Sequence, residues 1–153
     1  MRERLHEFFA VTETSVYRVR DMLDNGGTPF VEKVSQRSPS RVDVGDRLKN
    51  GSLVAVTKRG LFLYHDDLPC RGRALNRPAR LEELGALLIG DHTSPVVGLF
   101  LDQREALDCL NWGPGALNER RWEKCTKAVI EAIGDDHPVF TISRHPDYAF
   151  SFS

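Results

Sequence analysis

Histidine, cysteine and acidic residues lie close together at two places in the sequence, where they could act as metal ligands. His65, Asp66, Asp67 and Cys70 offer nitrogen, oxygen and sulfur atoms directly after an apolar segment. Adjacent strand residues point to opposite faces, however, and no second cluster at ligand spacing completes a four-fold site. Residues 135–137 form the other place, and polar residues between a glycine and a proline ordinarily make a turn. The sequence therefore predicts no metal ion and no cofactor.

A hydrolase-type nucleophile and base can be paired from Ser94 or Cys70 with His92 or His65. The sequence has no G-x-S-x-G segment, which is the sharp turn that exposes a nucleophilic serine. Its glycines match neither the Walker A loop nor the dinucleotide fingerprint. These features favour a protein that is not an enzyme.

Scattered residues can nevertheless converge in space, so a small enzyme is kept as the third hypothesis. Its candidate residues are His65, Asp66, His92 and Arg18.

Charge is segregated along the chain although the net charge is only -1. Residues 1–32 carry 4 basic and 6 acidic groups, residues 33–80 carry 11 and 4, and residues 81–153 carry 6 and 12. The middle segment is therefore strongly positive and the last one strongly negative, which favours association with a complementary surface.

The basic side chains of the middle segment are the candidate binding residues. A hairpin tip and one long loop are predicted to bring them together in a cationic patch, and the candidates are Lys58, Arg59, Arg71, Arg73, Arg77 and Arg80. Such a patch attracts nucleic acid or an acidic protein. The alternative is that these arginines are solvated or paired with acids of residues 81–153. Trp112, predicted in a loop at residues 111–115, is a further candidate as the anchor of a protein interface, or else part of the core.

Composition indicates one globular domain over residues 1–153. The chain is 41% hydrophobic and 28% charged, with a mean hydropathy of -0.36, and its apolar runs are far shorter than a membrane span. Cys70, Cys109 and Cys125 are widely spaced and odd in number, which argues against a disulfide framework. With no secretory signal in the first residues, we expect a cytoplasmic location and no membrane partner.

The pattern of apolar residues predicts an α+β fold, in which about three helices pack on one side of a mainly antiparallel sheet that begins with an N-terminal meander. Predicted strands cover residues 15–20, 30–35, 52–57, 61–64, 95–101, 138–143 and 148–152. One helix is predicted from Leu81 to Leu88 and ended by Gly90, and a second follows Asp102 as its N-cap. The third begins near Asn118 and ends at Gly134.

Together these features predict a non-enzymatic binding or regulatory protein that acts through protein contacts. Nucleic-acid binding by the arginine-rich segment 58–80 is the alternative. Segregated charge also allows two copies to meet as a homodimer.

Overall fold

The computed structural model describes residues 6–22, 29–39, 42–48, 53–57, 60–64, 79–80, 89–112, 119–133, 140–142 and 148–150. Eleven strands and two helices lie in these ranges. The strands are β1 (Glu7–Thr12), β2 (Ser15–Arg20), β3 (Phe30–Gln36), β4 (Arg47–Leu48), β5 (Leu53–Thr57), β6 (Gly60–Tyr64), β7 (Ala79–Arg80), β8 (Ile89–His92), β9 (Val96–Phe100), β10 (Phe140–Ile142) and β11 (Tyr148–Phe150). The helices are α1 (Gln103–Trp112) and α2 (Glu119–Ile133).

The largest sheet is antiparallel and has the strand order β4-β3-β2-β1-β9. β1 lies inside it because the run from Phe8 to Val11 is apolar on both faces and fully buried. This strand was not predicted from the sequence. On β2, Tyr17 and Val19 are buried while Arg18 and Arg20 are only half-buried, as the alternation of the sequence predicts.

A second sheet has the order β10-β5-β6-β8, with β10 and β5 parallel and the other pairs antiparallel. β5, predicted as a strand, lies between β10 and β6, and its residues Val54, Ala55 and Val56 are all buried. β11 and β7 form a separate antiparallel pair. The described residues therefore form an α+β fold that is mainly antiparallel.

Helix α1 begins where the sequence places its N-cap. The Arg104 N–H donates to the Asp102 carboxylate at 3.4 Å, and the Ala106 N–H donates to the Asp102 carbonyl at 3.2 Å. The helix continues through Trp112, into the segment predicted as a loop. The predicted loop at residues 111–115 was therefore wrong for Asn111 and Trp112.

The two helices contribute to hydrophobic clusters on opposite faces of the five-stranded sheet. Phe8 and Phe9 are adjacent on β1 and so point to opposite faces. Phe9 belongs to a cluster with Leu110 of α1, whereas Phe8 belongs to the larger cluster with Ile133 of α2. The prediction that the helices pack on one side of one sheet was therefore wrong for α1 and α2.

The helix predicted over residues 81–88 lies outside the described residues, so the described part of the chain confirms two of the three predicted helices. Gly90, which was predicted to end that helix, lies inside strand β8.

The main core joins the two large sheets and helix α2 in one cluster. Phe8 of β1 meets Phe140 of β10 edge to face, with ring centroids 5.3 Å apart. Within the described ranges, neither helix has the length and apolar character that crossing a membrane requires.

Candidate functional site

Most of the predicted binding residues lie outside the part of the chain that the structure describes; these are Lys58, Arg59, Arg71, Arg73 and Arg77. Arg80 is the last residue of β7, where it pairs with Tyr148 of β11. Trp112 is the last residue of α1. The cationic patch predicted over residues 58–80 therefore stays a prediction.

The residues proposed for a scattered enzyme site are placed only in part. His65 and Asp66 lie outside the described residues, and His92 lies on β8 opposite Phe62. Arg18 lies on β2, and its side chain contacts Glu32 and Gln103. Within the described ranges, no three His, Cys, Asp or Glu side chains are close enough to hold a metal ion.

A row of side chains crosses four strands of the five-stranded sheet. Phe9 of β1 pairs with Arg18 of β2, Arg18 with Glu32 of β3, and Glu32 with Arg47 of β4. Directly paired residues of antiparallel strands share a face, so these four side chains lie side by side. Positively and negatively charged groups therefore alternate beyond the buried Phe9.

A second row lies two residues further along the strands and so on the same face. Glu7 pairs with Arg20, and Arg20 pairs with Phe30. We name the combined surface the arginine face, and its residues are Glu7, Arg18, Arg20, Phe30, Glu32 and Arg47. Three arginines against two glutamates leave it with a net charge of +1.

Neighbouring side chains position each arginine of this face. Arg18 Nη1 donates to Glu32 at 3.3 Å, and Nη2 donates to Gln103 Oε1 at 3.0 Å. Arg20 Nε lies 3.2 Å from the Glu7 carboxylate, and both of these side chains are 40% exposed. These contacts restrict the rotamers of Arg18 and Arg20 before any ligand arrives.

Arg47 is held by an aromatic ring. Its guanidinium carbon lies 4.0 Å from the centroid of the Phe30 ring, which is the distance of a cation–π contact. Arg47 is exposed, and among the described residues no carboxylate forms a salt bridge with it. Within this part of the chain its N–H donors are not engaged in a salt bridge, although Glu32 is its neighbour in the row, and guanidinium donors suit a carboxylate of another molecule.

A histidine and an aspartate form a pair at the end of β1 and β2. His6 Nδ1 lies 2.9 Å and 3.1 Å from the two carboxylate oxygens of Asp21, and the Asp21 N–H donates to the His6 carbonyl at 3.0 Å. The Asp21 side chain is fully buried, while that of His6 is 44% exposed. Such a carboxylate fixes the orientation of an imidazole. Val19 and Asp21 are two residues apart and therefore point to the same face of the sheet, opposite to Arg18 and Arg20. On that opposite face, the pair of His6 and Asp21 joins the ends of β1 and β2.

A buried lysine lies under the β3–β4 turn. Lys33 is 1% exposed, its Nζ donates to Gln36 Oε1 at 3.2 Å, and it lies 5.9 Å from the centroid of the Tyr17 ring. Burial lowers the pKa of the Lys33 ammonium, and the nearby Asp43 carboxylate offsets part of that effect. Lys33 shares the core face with Val31, so it does not contribute to the arginine face.

The two described cysteines differ in burial. Cys109 is buried in the cluster between α1 and the sheet, whereas Cys125 is only partly buried.

The sequence held part of the signal for the arginine face. Alternation along residues 15–20 places Arg18 and Arg20 together on the polar side of β2. Glu32 and Arg47 join them only through strand register, and register depends on pairings between distant segments.

Comparison with known proteins gives no family assignment: no protein-family model matches the chain, and no curated protein or solved structure is significantly similar to it.

Proposed function

We propose that this protein is a non-enzymatic binding or regulatory protein that acts through protein contacts, and that the arginine face is its binding surface. The observation that carries the proposal is Arg47, an exposed arginine stacked on Phe30 at 4.0 Å beside two further positioned arginines. Arginine and aromatic residues are enriched among the residues that dominate protein interfaces. A positioned side chain also loses less conformational freedom on binding, which favours association.

The partner should present separate carboxylates. Arginine binds carboxylates in a planar, often bidentate geometry, and Arg47 is the side chain best placed to do so. Glu7 and Glu32 stand among the arginines and would repel a continuous polyanion. A protein surface with spaced acids can avoid both glutamates, so it fits this face better than nucleic acid does.

Nucleic-acid binding through residues 58–80 is the alternative proposal. It is supported by the excess of basic residues in segment 33–80, which contains 11 basic and 4 acidic residues. Phosphate contacts of this kind are independent of nucleotide sequence and weaken steeply with salt.

Fluorescence anisotropy with three labelled probes separates the two proposals. The probes are a 12-residue peptide of alternating glutamate and serine, its lysine counterpart, and a short DNA duplex, each titrated at low and high salt. The first proposal expects the chain to bind the glutamate peptide and not the lysine peptide. The double variant Arg20→Glu, Arg47→Glu should then bind that peptide at least about tenfold more weakly.

Lys124→Glu with Lys127→Glu is the matched control, because it makes the same charge change at exposed positions of α2. The control should bind the glutamate peptide as the unmodified chain does, and circular dichroism should show that all variants are folded. Equal weakening by both double variants would refute a specific role for the arginine face. Binding of DNA alone, lost on replacing Arg71, Arg73 and Arg77 by alanine, would support the alternative.

A further inference from the structure

Three charged side chains of the arginine face lie in one row across neighbouring strands. Helix α1 packs against β1, β2 and β9, and Phe9 is buried in its cluster. Beyond Phe9 the row continues through Arg18, Glu32 and Arg47, of which the first two are partly exposed and the third is exposed. We name these three residues the charged row. A ligand can therefore reach a positive, a negative and a positive group in succession.

The spacing of the charged row favours one shape of protein ligand. Neighbouring strands lie about 4.8 Å apart, so its two arginines belong to strands separated by about 10 Å. An extended segment presents side chains on one side about 6.7 Å apart, which is too wide for one charge on each strand. A helix presents side chains on one side every three or four residues, about 5 to 6 Å apart. Helical spacing therefore matches the charged row better than extended spacing does.

We propose that the arginine face binds a helix of a partner protein, which carries acidic residues at positions i and i+7 and a basic residue at i+3 or i+4. The inference rests on the proposed function, because it names the partner of the same surface. The two acids pair with Arg18 and Arg47, and the basic residue pairs with Glu32. Each charge of the row then meets its opposite, and the axis of the bound helix crosses the strands.

The contact extends beyond the charged row because Arg47 leans over Phe30. Its guanidinium carbon lies 4.0 Å from the centroid of the Phe30 ring, and Phe30 belongs to the second row, where it pairs with Arg20. The two rows are about 6.7 Å apart, whereas a helix with its side chains is about 10 Å wide. One bound helix therefore covers both rows, and its acid at i+7 reaches the Arg47 guanidinium beside Phe30.

Three synthetic peptides of 18 residues test the helix. All are rich in alanine and glutamine and carry two glutamates seven positions apart and one lysine. In the matched peptide the lysine follows the first glutamate by four positions, whereas in the displaced peptide it follows by two and lies on the opposite side of the helix. The proline peptide has the matched charges and a central proline that breaks the helix. Circular dichroism checks the helicity of each peptide.

Amide chemical shifts of the isotope-labelled chain, followed at low salt during each titration, give the dissociation constants and locate the contact. The matched peptide should bind at least about threefold more tightly than either of the others, because one exposed ion pair changes affinity by up to about fivefold. The amides that shift should include those of Arg18, Glu32 and Arg47. Equal affinities for the three peptides would overturn the inference.

Replacing Glu32 with glutamine tests the charged row from the side of this chain. The variant lacks the acid that the central lysine meets, so the matched and displaced peptides should bind to it equally. Glu7→Gln is the matched control, because Glu7 also contacts an arginine of the face but lies outside the charged row. Losing this acid changes the attraction of both peptides alike, so the threefold preference should remain. A preference that survives Glu32→Gln, or that both folded variants lose, would refute the pairing.

The peptide of alternating glutamate and serine keeps this result distinct from the proposed function. A chain that binds this peptide but does not distinguish the matched peptide from the displaced one would refute the helical partner and leave the proposed function standing. A chain that binds neither the glutamate–serine peptide nor the matched peptide would refute both.

Discussion

Replacing Gly60 with alanine should destabilise the protein strongly, because the residue combines an unusual backbone angle with a close backbone neighbour. Gly60 has a φ of +156°, which side chains other than glycine rarely adopt, and a Cβ there would lie 2.7 Å from the Thr93 carbonyl oxygen. Thr93 cannot easily retreat. Its hydroxyl accepts the Leu61 N–H at 3.0 Å, and its own N–H donates to the Leu61 carbonyl at 3.0 Å.

The magnitude follows from two unfavourable effects and one that offsets them. Holding a non-glycine residue at positive φ costs on the order of 1 to 2 kcal/mol. Overpacking against fixed neighbours costs about 1 to 3 kcal/mol more, and the lower chain entropy of unfolded alanine returns up to about 1 kcal/mol. Gly60→Ala should therefore lower the free energy of unfolding by about 1 to 5 kcal/mol. In a domain of this size, that corresponds to a fall in Tm of roughly 3 to 15 °C.

Gly45→Ala is the matched control for the backbone angle alone. Gly45 has a φ of +95°, and no atom lies within 4 Å of the position that a Cβ would take. Its replacement carries the cost of the backbone angle alone, so it should lower the free energy of unfolding by at most about 2 kcal/mol and by about 1 to 3 kcal/mol less than Gly60→Ala. Urea unfolding followed by tryptophan fluorescence measures both variants, provided that the slope with denaturant is unchanged. Equal losses of stability for the two variants would refute the contact with Thr93 as the cause.

Three further substitutions test the contributions of His6, Thr93 and Lys33 to stability. His6→Ala should lower the free energy of unfolding by about 1 to 3 kcal/mol, because it removes a hydrogen-bond donor from the buried Asp21 carboxylate; urea unfolding showing no loss would contradict this. Thr93→Val should cost about 1 to 2 kcal/mol by removing the hydroxyl that accepts the Leu61 N–H, and faster amide exchange at Leu61 should accompany it. Lys33→Met should stabilise the protein at pH 7 by about 1 kcal/mol, because burial lowers the pKa of Lys33 and so disfavours its charged form in the folded state. The unfolded chain then binds more protons at this residue, so the stability of the unmodified chain rises with pH up to the ordinary lysine pKa, and the advantage of the variant should shrink between pH 7 and pH 10. An advantage independent of pH would show that packing, not charge, is responsible.

Local patterns predicted much of the secondary structure because local physics decides it. Alternation defined β2, and the Asp102 cap defined the start of α1. The end of α1 was predicted too early. Proline disfavours helix at the residue before it, and in the sequence Trp-Gly-Pro that residue is Gly113, so Trp112 can still be helical.

Strand pairing accounts for what the sequence did not reveal. β1 was missed because its short apolar run, unlike that of β5 after Asn50-Gly51, has no turn residues before it, and such a run does not by itself distinguish a buried strand from a helix. The arginine face was missed for a related reason. Arg47 lies 29 positions after Arg18, and only the register of β2, β3 and β4 brings both beside Glu32.

The glutamates of the arginine face bear on the kind of ligand that the proposed binding surface would favour. Along the row from Arg18 through Glu32 to Arg47, the sign of the charge changes at every strand, in steps of about 4.8 Å. A uniform polyanion gains attraction at the two arginines but meets repulsion at Glu32. A folded surface that places acids about 10 Å apart, with a neutral or basic group between them, gains at every step. Because Glu32 also holds Arg18 in position, the same residue that weakens binding to polyanions reduces the entropy lost on binding a matching protein. The proposed preference for spaced carboxylates therefore rests on the strand register.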